Sequence, residues 1–290
     1  GSCFVENIGE KLNYFKFQNS INPFGILFHP KAIENLIVNA VENKRYSDDD
    51  VFFQNEQWHC FEAHSKLSNS SKESLLEDLN AEIKLTNLQI HKSSHIIITL
   101  GTTWVYNFIE SNQIVANCHK VVQKKFKKEL LSVDSVFQSL NNIVAIIQKI
   151  NNKAKVVFTV SPIRHLKDGF VENTISKSHL ITAIHQIVKQ QNNAYYFPSY
   201  EIMMDELRDY RFYSEDMLHP NNVAVNYIWN KFKGVWISNE ASKVMKEVDV
   251  IQKGLLHKPF NLNSEAHLQF LEKLDSKKEL LKKQFPYIKF

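Results

Sequence analysis

Apolar positions along the chain follow two rhythms. Ile96-Ile97-Ile98-Thr99-Leu100, closed by Gly101, is short, β-branched and continuous, and so is Lys155-Val156-Val157-Phe158-Thr159-Val160, closed by Ser161-Pro162. Continuous apolar runs of that length suit strands covered on both faces, as in a parallel sheet. Ahead of each lies a stretch of helical period. From Ser71 to about Ile90 the residues Leu75, Leu76, Leu79, Ile83 and Leu85 recur at roughly helical spacing. From Ser132 to Asn151, Val136, Leu140, Val144, Ile147 and Ile150 share one face. A third helix over 176–191 leads into Ala194-Tyr195-Tyr196-Phe197, which reads as a third strand. Helix–strand alternation of this kind predicts an α/β fold with a parallel sheet.

Trp104 to Ile109 and Gln113 to Ala116 flank the turn residues Glu110-Ser111-Asn112, which predicts a hairpin inserted after the first strand. The basic run Lys124-Lys125-Phe126-Lys127-Lys128 reads as a solvated face or loop. Asn221 to about Ser238 is a further helix with Val225, Ile228, Trp229 and Phe232 on one side and Pro220 at its entrance. Beyond it, 239–253 and 264–284 are charged amphipathic helices separated by Gly254 and Pro259. The expected organisation is an α/β domain over 1–237 and a helical C-terminal extension over 238–290, the latter a candidate for homo-oligomer formation.

The chain has 290 residues, 43% apolar and 23% charged, ample to bury a core. No apolar run approaches the ~18–20 residues that span a bilayer. Against 31 acidic residues stand 35 Lys and Arg, and the resulting net charge of +4 is too small to argue for nucleic acid. Cys3, Cys60 and Cys118 do not form a disulfide framework and fit a reducing compartment, which predicts a cytoplasmic protein. His59, Cys60, Cys118 and His119 lack the C-x-x-C or H-x-x-x-H spacing of a metal site, so no metal or other cofactor is expected.

Three features carry candidate chemistry. Asp216-Met217-Leu218-His219, before Pro220, places a carboxylate three residues ahead of an imidazole, where it orients the ring and stabilises its protonated form. The spacing alone is common, and a capping Asp beside a surface His is the plain alternative. Gly1-Ser2-Cys3-Phe4 runs into a helix marked by Ile8, Leu12 and Phe15, and a helix N-terminus lowers a thiol pKa and offers amides to an oxyanion. A buried structural cysteine is the alternative there. Asn22-Pro23-Phe24-Gly25 and Gly101-Thr102-Thr103-Trp104 are turns, the second at the carboxyl end of a strand, where α/β sheets bind ligands. Gly25 could offer an amide and Thr103 a hydroxyl to a developing oxyanion. Arg164 and His165, just past the second strand, are placed to hold a substrate carboxylate, phosphate or sugar hydroxyl, the alternative being a loop Arg paired with a surface acid. Cys118-His119-Lys120 is a further candidate for the pocket wall.

Taken together these motifs resemble a known family. Gly1-Ser2-Cys3-Phe4, Glu6-Asn7-Ile8-Gly9, Asn22-Pro23-Phe24-Gly25-Ile26-Leu27, Thr99 to Trp104, Asn117-Cys118-His119-Lys120, Ser161 to His165 and the long stretch from Tyr196 through Tyr213 to His219-Pro220 resemble the GSCFA-domain family. The likeness covers roughly residues 1 to 235. That family is similar to the wider SGNH (GDSL-like) hydrolase superfamily, which implies a flavodoxin-like three-layer α/β/α domain, a nucleophile after the first strand and a D-x-x-H pair near the domain's end. It also implies a leading strand ahead of Gly1 that this chain does not contain. Residue by residue, the likeness makes Cys3 the nucleophile with Ser2 at the usual Asp position, or Ser2 the nucleophile if the register shifts by one. Gly25 falls on the second oxyanion glycine, Gly101 to Trp104 on the Gly-x-Asn-Asp block with Thr103 for Asn, and Asp216 and His219 on the last block. The implied function is an esterase-type hydrolase or O-acyltransferase acting on a small-molecule or carbohydrate acyl ester. The alternative is a non-catalytic binding or scaffold module on the same fold.

Overall fold

The computed structural model describes residues 1–290, which divide into two compact units. The first comprises residues 1–6 with 20–228, the second residues 7–19 with 229–290.

In the first unit, the opening turns of α1 (Phe4–Tyr14) are followed by α2 (Pro30–Val41), the short hairpin β1 (Phe52–Gln54) and β2 (Gln57–His59), α3 (Lys72–Lys92) and β3 (His95–Leu100). An antiparallel insert follows, β4 (Trp104–Phe108), β5 (Gln113–Val115) and β6 (Phe126–Leu130), in the order β5-β4-β6. Then come α4 (Val133–Ile150), β7 (Lys155–Val160), α5 (Phe170–Gln190) and β8 (Ala194–Phe197). The parallel sheet has the order β3-β7-β8, with Ile98 opposite Phe158 and Phe158 opposite Tyr196. Helices flank this sheet, consistent with a three-layer α/β/α fold.

The local chemistry explains the boundaries. Ser71 Oγ accepts the Ser74 amide at 3.2 Å to start α3, and Ser132 Oγ accepts the Ser135 amide at 3.1 Å to start α4. For α2, the cap is a histidine: His29 Nδ1 accepts the Ala32 amide at 3.1 Å, with Pro30 in the first turn. Because β7 lies at the sheet's centre, Val156, Val157, Phe158 and Val160 are wholly buried, and this is why the run shows no alternation. Leu140, Ile143, Val144 and Ile147 of α4 and Leu180, Ala183, Ile184 and Ile187 of α5 close over it.

Two readings of the pattern shift. The basic run is no loop: Phe126–Leu130 pairs antiparallel with β4, Phe126 opposite Phe108. Phe126 is buried and Lys127 exposed, while Lys128 lies 4.7 Å from the Trp104 ring and pairs with Asp168. The strand hides one apolar side chain among solvated lysines, so composition masked its period of two. Helix α5 starts six residues early, at Phe170, after Gly169 at φ 116°.

Past β8, a short α6 (Ser199–Glu201) runs into a π turn over Ile202–Glu206, and a loop leads to α7 (Asn222–Trp236). Asn221 Oδ1 caps α7 by accepting the amides of Val223 at 3.0 Å and Ala224 at 3.1 Å.

In the second unit, α8 (Asn239–Leu255) and α9 (Glu265–Gln284) pack around Val248, Ile251, Leu274, Leu281 and Ile288. Tyr14 donates to Asp249 Oδ1 at 2.9 Å, and Phe15 stacks on Trp229. A Cβ on Gly254 would lie 2.7 Å from a Leu274 methyl, so the Leu274 side chain packs directly on the Gly254 backbone. No helix is long and apolar enough to cross a membrane.

Candidate active site

The Gly1–Cys3 turn is tied to the carboxyl end of β3. The Ser2 amide donates to Thr99 O at 3.0 Å, and the Leu27 amide donates to Gly1 O at 3.1 Å. These bonds set Cys3 at the N-terminus of α1. From the other end of the unit comes the loop before α7, closed by the Ser214 amide on His219 O at 2.7 Å and by a bridge between Tyr213 and Pro220. Cys3 Sγ and His219 Nε2, 216 residues apart in the chain, lie 3.8 Å from each other.

Asp216 organises the imidazole. Its Oδ2 is 2.5 Å from His219 Nδ1, and its Oδ1 accepts the Leu218 amide at 2.9 Å and the His219 amide at 3.0 Å. The two amides, the His219 amide foremost, and then the ring hold this carboxyl down to about 2, so it is ionised at neutral pH. With Nδ1–H donating to Asp216, the Nε2 lone pair faces the sulfur. Burial pushes the Cys3 thiol up and Glu6 adds to that, while the amides of Cys3 and Phe4 and the charge of Lys177 pull it back. Cys3 therefore rests as a thiol beside the His219 imidazole.

Ser2 points elsewhere. It is fully buried, and its Oγ has no hydrogen-bond partner. Gly25 has φ 71°, and its amide is engaged on Asn22 O at 2.7 Å. The Thr103 hydroxyl is buried and donates to Ser176 Oγ at 3.1 Å, which also takes the Thr103 amide at 2.8 Å. The Gly101 amide donates to Phe28 O at 2.7 Å. The amides of Cys3 and Phe4 are instead the backbone donors that act on the sulfur.

Residues 1–232 match the GSCFA family, and residues 248–290 match the C-terminal domain of GSCFA domain proteins. The chain belongs to the GSCFA family. Comparison with curated proteins gives no match.

Both partners of the Cys3–His219 pair lie within the GSCFA match, as do Arg164 and His165. Arg164 stacks its guanidinium 4.4 Å from the Tyr213 ring centre and 5.5 Å from that of Tyr210, and its amide meets Leu218 O at 3.4 Å. It braces the loop that carries Asp216 and His219. His165 sits edge-on to Phe28, its Nε2 is buried without a partner, and a Cβ on Gly101 would lie 3.0 Å from that atom. Burial takes its pKa down to about 3, so the ring stays neutral. Cys118 and His119 belong to the neighbourhood of the β1–β2 hairpin: His119 Nε2 donates to Cys60 O and Ala63 O, and its ring lies 4.6 Å from that of His59. Burial raises the Cys118 thiol to about 11 and the Cys60 thiol to about 12, which leaves both inert at neutral pH.

Pattern reading of the GSCFA chain passed over Lys177. It is 1% exposed, on the core face of α5 in register with Leu180 and Ile184. Its Nζ donates to Gly101 O and to Ser161 O, each at 2.8 Å. Those carbonyls follow the carboxyl ends of β3 and β7. A lysine in core register of a helix is a legible signal, because such positions otherwise take apolar side chains.

Proposed function

We propose that this GSCFA protein is an SGNH-type hydrolase or O-acyltransferase acting on an acyl ester, an acetylated carbohydrate foremost. The observation that carries the reading is the approach of Cys3 Sγ to His219 Nε2 at 3.8 Å, with Asp216 on the far ring nitrogen. His219 Nε2 takes the thiol proton as the sulfur attacks the acyl carbon. The amides of Cys3 and Phe4 face the charge that develops at the head of α1. As the tetrahedral adduct collapses, the alkoxide leaves with the proton from His219 and a thioester remains on Cys3. Water or a sugar hydroxyl then gives its proton to His219 and attacks the thioester, releasing the acid or the new ester and restoring the thiol. Asp216 holds the tautomer and balances the imidazolium in both halves.

The test is turnover of 4-nitrophenyl acetate and of acetylated sugars by the wild type and by Cys3→Ala and His219→Ala. Both variants should lose turnover while keeping the wild-type circular dichroism. Full activity in both overturns the mechanism.

One observation favours a second reading, a binding module on a retired hydrolase fold. The Gly25 amide and the Thr103 hydroxyl are both engaged within the protein, and loss of one oxyanion donor costs on the order of 10²–10³ in rate. An electrophilic acyl probe separates the two: His219-dependent labelling at Cys3 supports the enzyme, and no labelling across probes supports the module.

A further inference from the structure

We propose that Lys177 is a positioning residue for the Cys3 nucleophile, a buried ammonium clamped across the ends of β3 and β7 that serves as counter-charge to the thiolate. The proposal rests on the reading of Cys3 as nucleophile but is tested without any substrate.

Burying an ammonium is costly unless its charge is compensated. Two carbonyl oxygens satisfy two of the three Nζ protons, and no carboxylate pairs with Lys177. The Tyr200 ring of α6 lies 5.5 Å from Nζ. The titratable groups that bear on the cluster are Cys3 and Glu6 of α1, His165 after β7 and His219 of the following loop. His165 is neutral, and Glu6 pairs with Lys66 at 2.5 Å. Cys3 is the group in the cluster left to supply a negative charge.

The backbone explains why the two meet. Ser2 is bonded to Thr99 O at the end of β3, and Lys177 is bonded to Gly101 O two residues further on. Both therefore belong to the carboxyl edge of the sheet. Burial, opposed by the negative charge of a Cys3 thiolate, brings Lys177 down to about 7. The two groups consequently titrate as a pair: the first proton lost near neutrality leaves either thiol with amine or thiolate with ammonium. The second arrangement supplies reactive sulfur well below the pH at which an isolated buried thiol ionises. Where Cys3 attacks from the thiol form its proton goes to His219; in the thiolate–ammonium form that proton has already been lost to solvent, and Lys177 keeps its own.

The test is the pH dependence of Cys3 alkylation by iodoacetamide in the full chain, read by peptide mass spectrometry so that Cys60 and Cys118 do not contribute. It is run in a His219→Ala background, which removes the imidazole as a source of any inflection near neutrality. With Lys177 intact, the rate should rise through an inflection near pH 7 to a plateau before the main thiol ionisation. In Lys177→Met that inflection should vanish, with the rate at about pH 8 lowered tenfold or more. A single rise through one high pKa with Lys177 in place overturns the proposal, even if Lys177→Met does not fold. A folded Lys177→Met with an unmoved profile overturns it too and leaves a purely structural clamp. Absence of ester turnover would count against the proposed activity and leave this profile untouched.

Discussion

Acid should weaken the first unit through three buried histidines, each held neutral by a different arrangement. His29 uses Nδ1 to accept the Ala32 amide and Nε2–H to donate to Val115 O at 3.1 Å, so protonating Nδ1 destroys the cap of α2. His119 donates Nε2–H to two carbonyls and has an unpartnered, buried Nδ1, where a proton would find no acceptor. His165 is buried close to Lys177 and His219, both of which repel a further positive charge. Burial is the largest cause in all three, taking His29 and His119 from 6.5 to about 4 and His165 to about 3. Between these values and 6.5 the unfolded chain binds more protons than the folded one. The contribution of these histidines to stability is therefore full above 6.5 and is lost as pH drops toward the folded values. At about pH 5 each ring costs about 2 kcal/mol, or about 6 kcal/mol for the three, a large share of the stability of an ordinary domain. Carboxylates add little in this range, since they are ionised in both states. Urea titrations at about pH 7 and pH 5 and fixed ionic strength measure the loss. His29→Asn keeps a capping acceptor while removing one titrating ring, so its loss should be smaller by about 2 kcal/mol. A total loss under ~2 kcal/mol, or an unchanged pH slope in His29→Asn, would refute the argument.

Two further outcomes follow from single positions. Gly25→Ala forces a side chain into φ 71° with its Cβ 2.5 Å from the Cβ of His64. It should destabilise by about 2–4 kcal/mol and lower Tm by roughly 5–10 °C in thermal unfolding, and a Tm equal to wild type would contradict it. Asp216→Asn keeps the loop's shape but not the charge that orients His219. On the proposed mechanism kcat for ester turnover should fall by on the order of 10²–10⁴ with little change in KM, and an undiminished kcat would remove Asp216 from the machinery.

The burial of the site bears on the proposed mechanism. Desolvation raises the Cys3 thiol, so on that mechanism a base or a buried countercharge must act as the sulfur attacks. Gly25 and Thr103 show how a turn motif can be present while its donors are turned inward. The Gly25 amide closes its own turn on Asn22, and Thr103 is sealed against Ser176. Sequence spacing gave no sign of this, because the partner of Thr103 lies 73 residues away on α5.

Local physics made much of this protein readable from its residues in order. Continuous β-branched runs specify strands buried on both faces, and serine caps with periodic leucines specify α3 and α4, because these preferences act within a few residues. The Asp216–His219 contact is likewise three residues long, and its geometry follows from one loop. Helix α2 was passed over although Ile33, Ile37 and Ala40 repeat at helical spacing, because a histidine rather than Ser, Thr, Asp or Asn opens it, and strand β6 was hidden because its one buried apolar residue, Phe126, lies in a lysine run. Only the assembled fold decided that Cys3 rather than Ser2 faces the imidazole, since that depends on how the turn is pinned against Thr99 of β3 and against Leu27, which no local pattern records. The core register of Lys177 was legible, but the fold alone decided what it binds, because its acceptors are two carbonyls at the ends of different strands. Contacts between residues far apart in the chain arise from packing, which composition and periodicity constrain but do not specify.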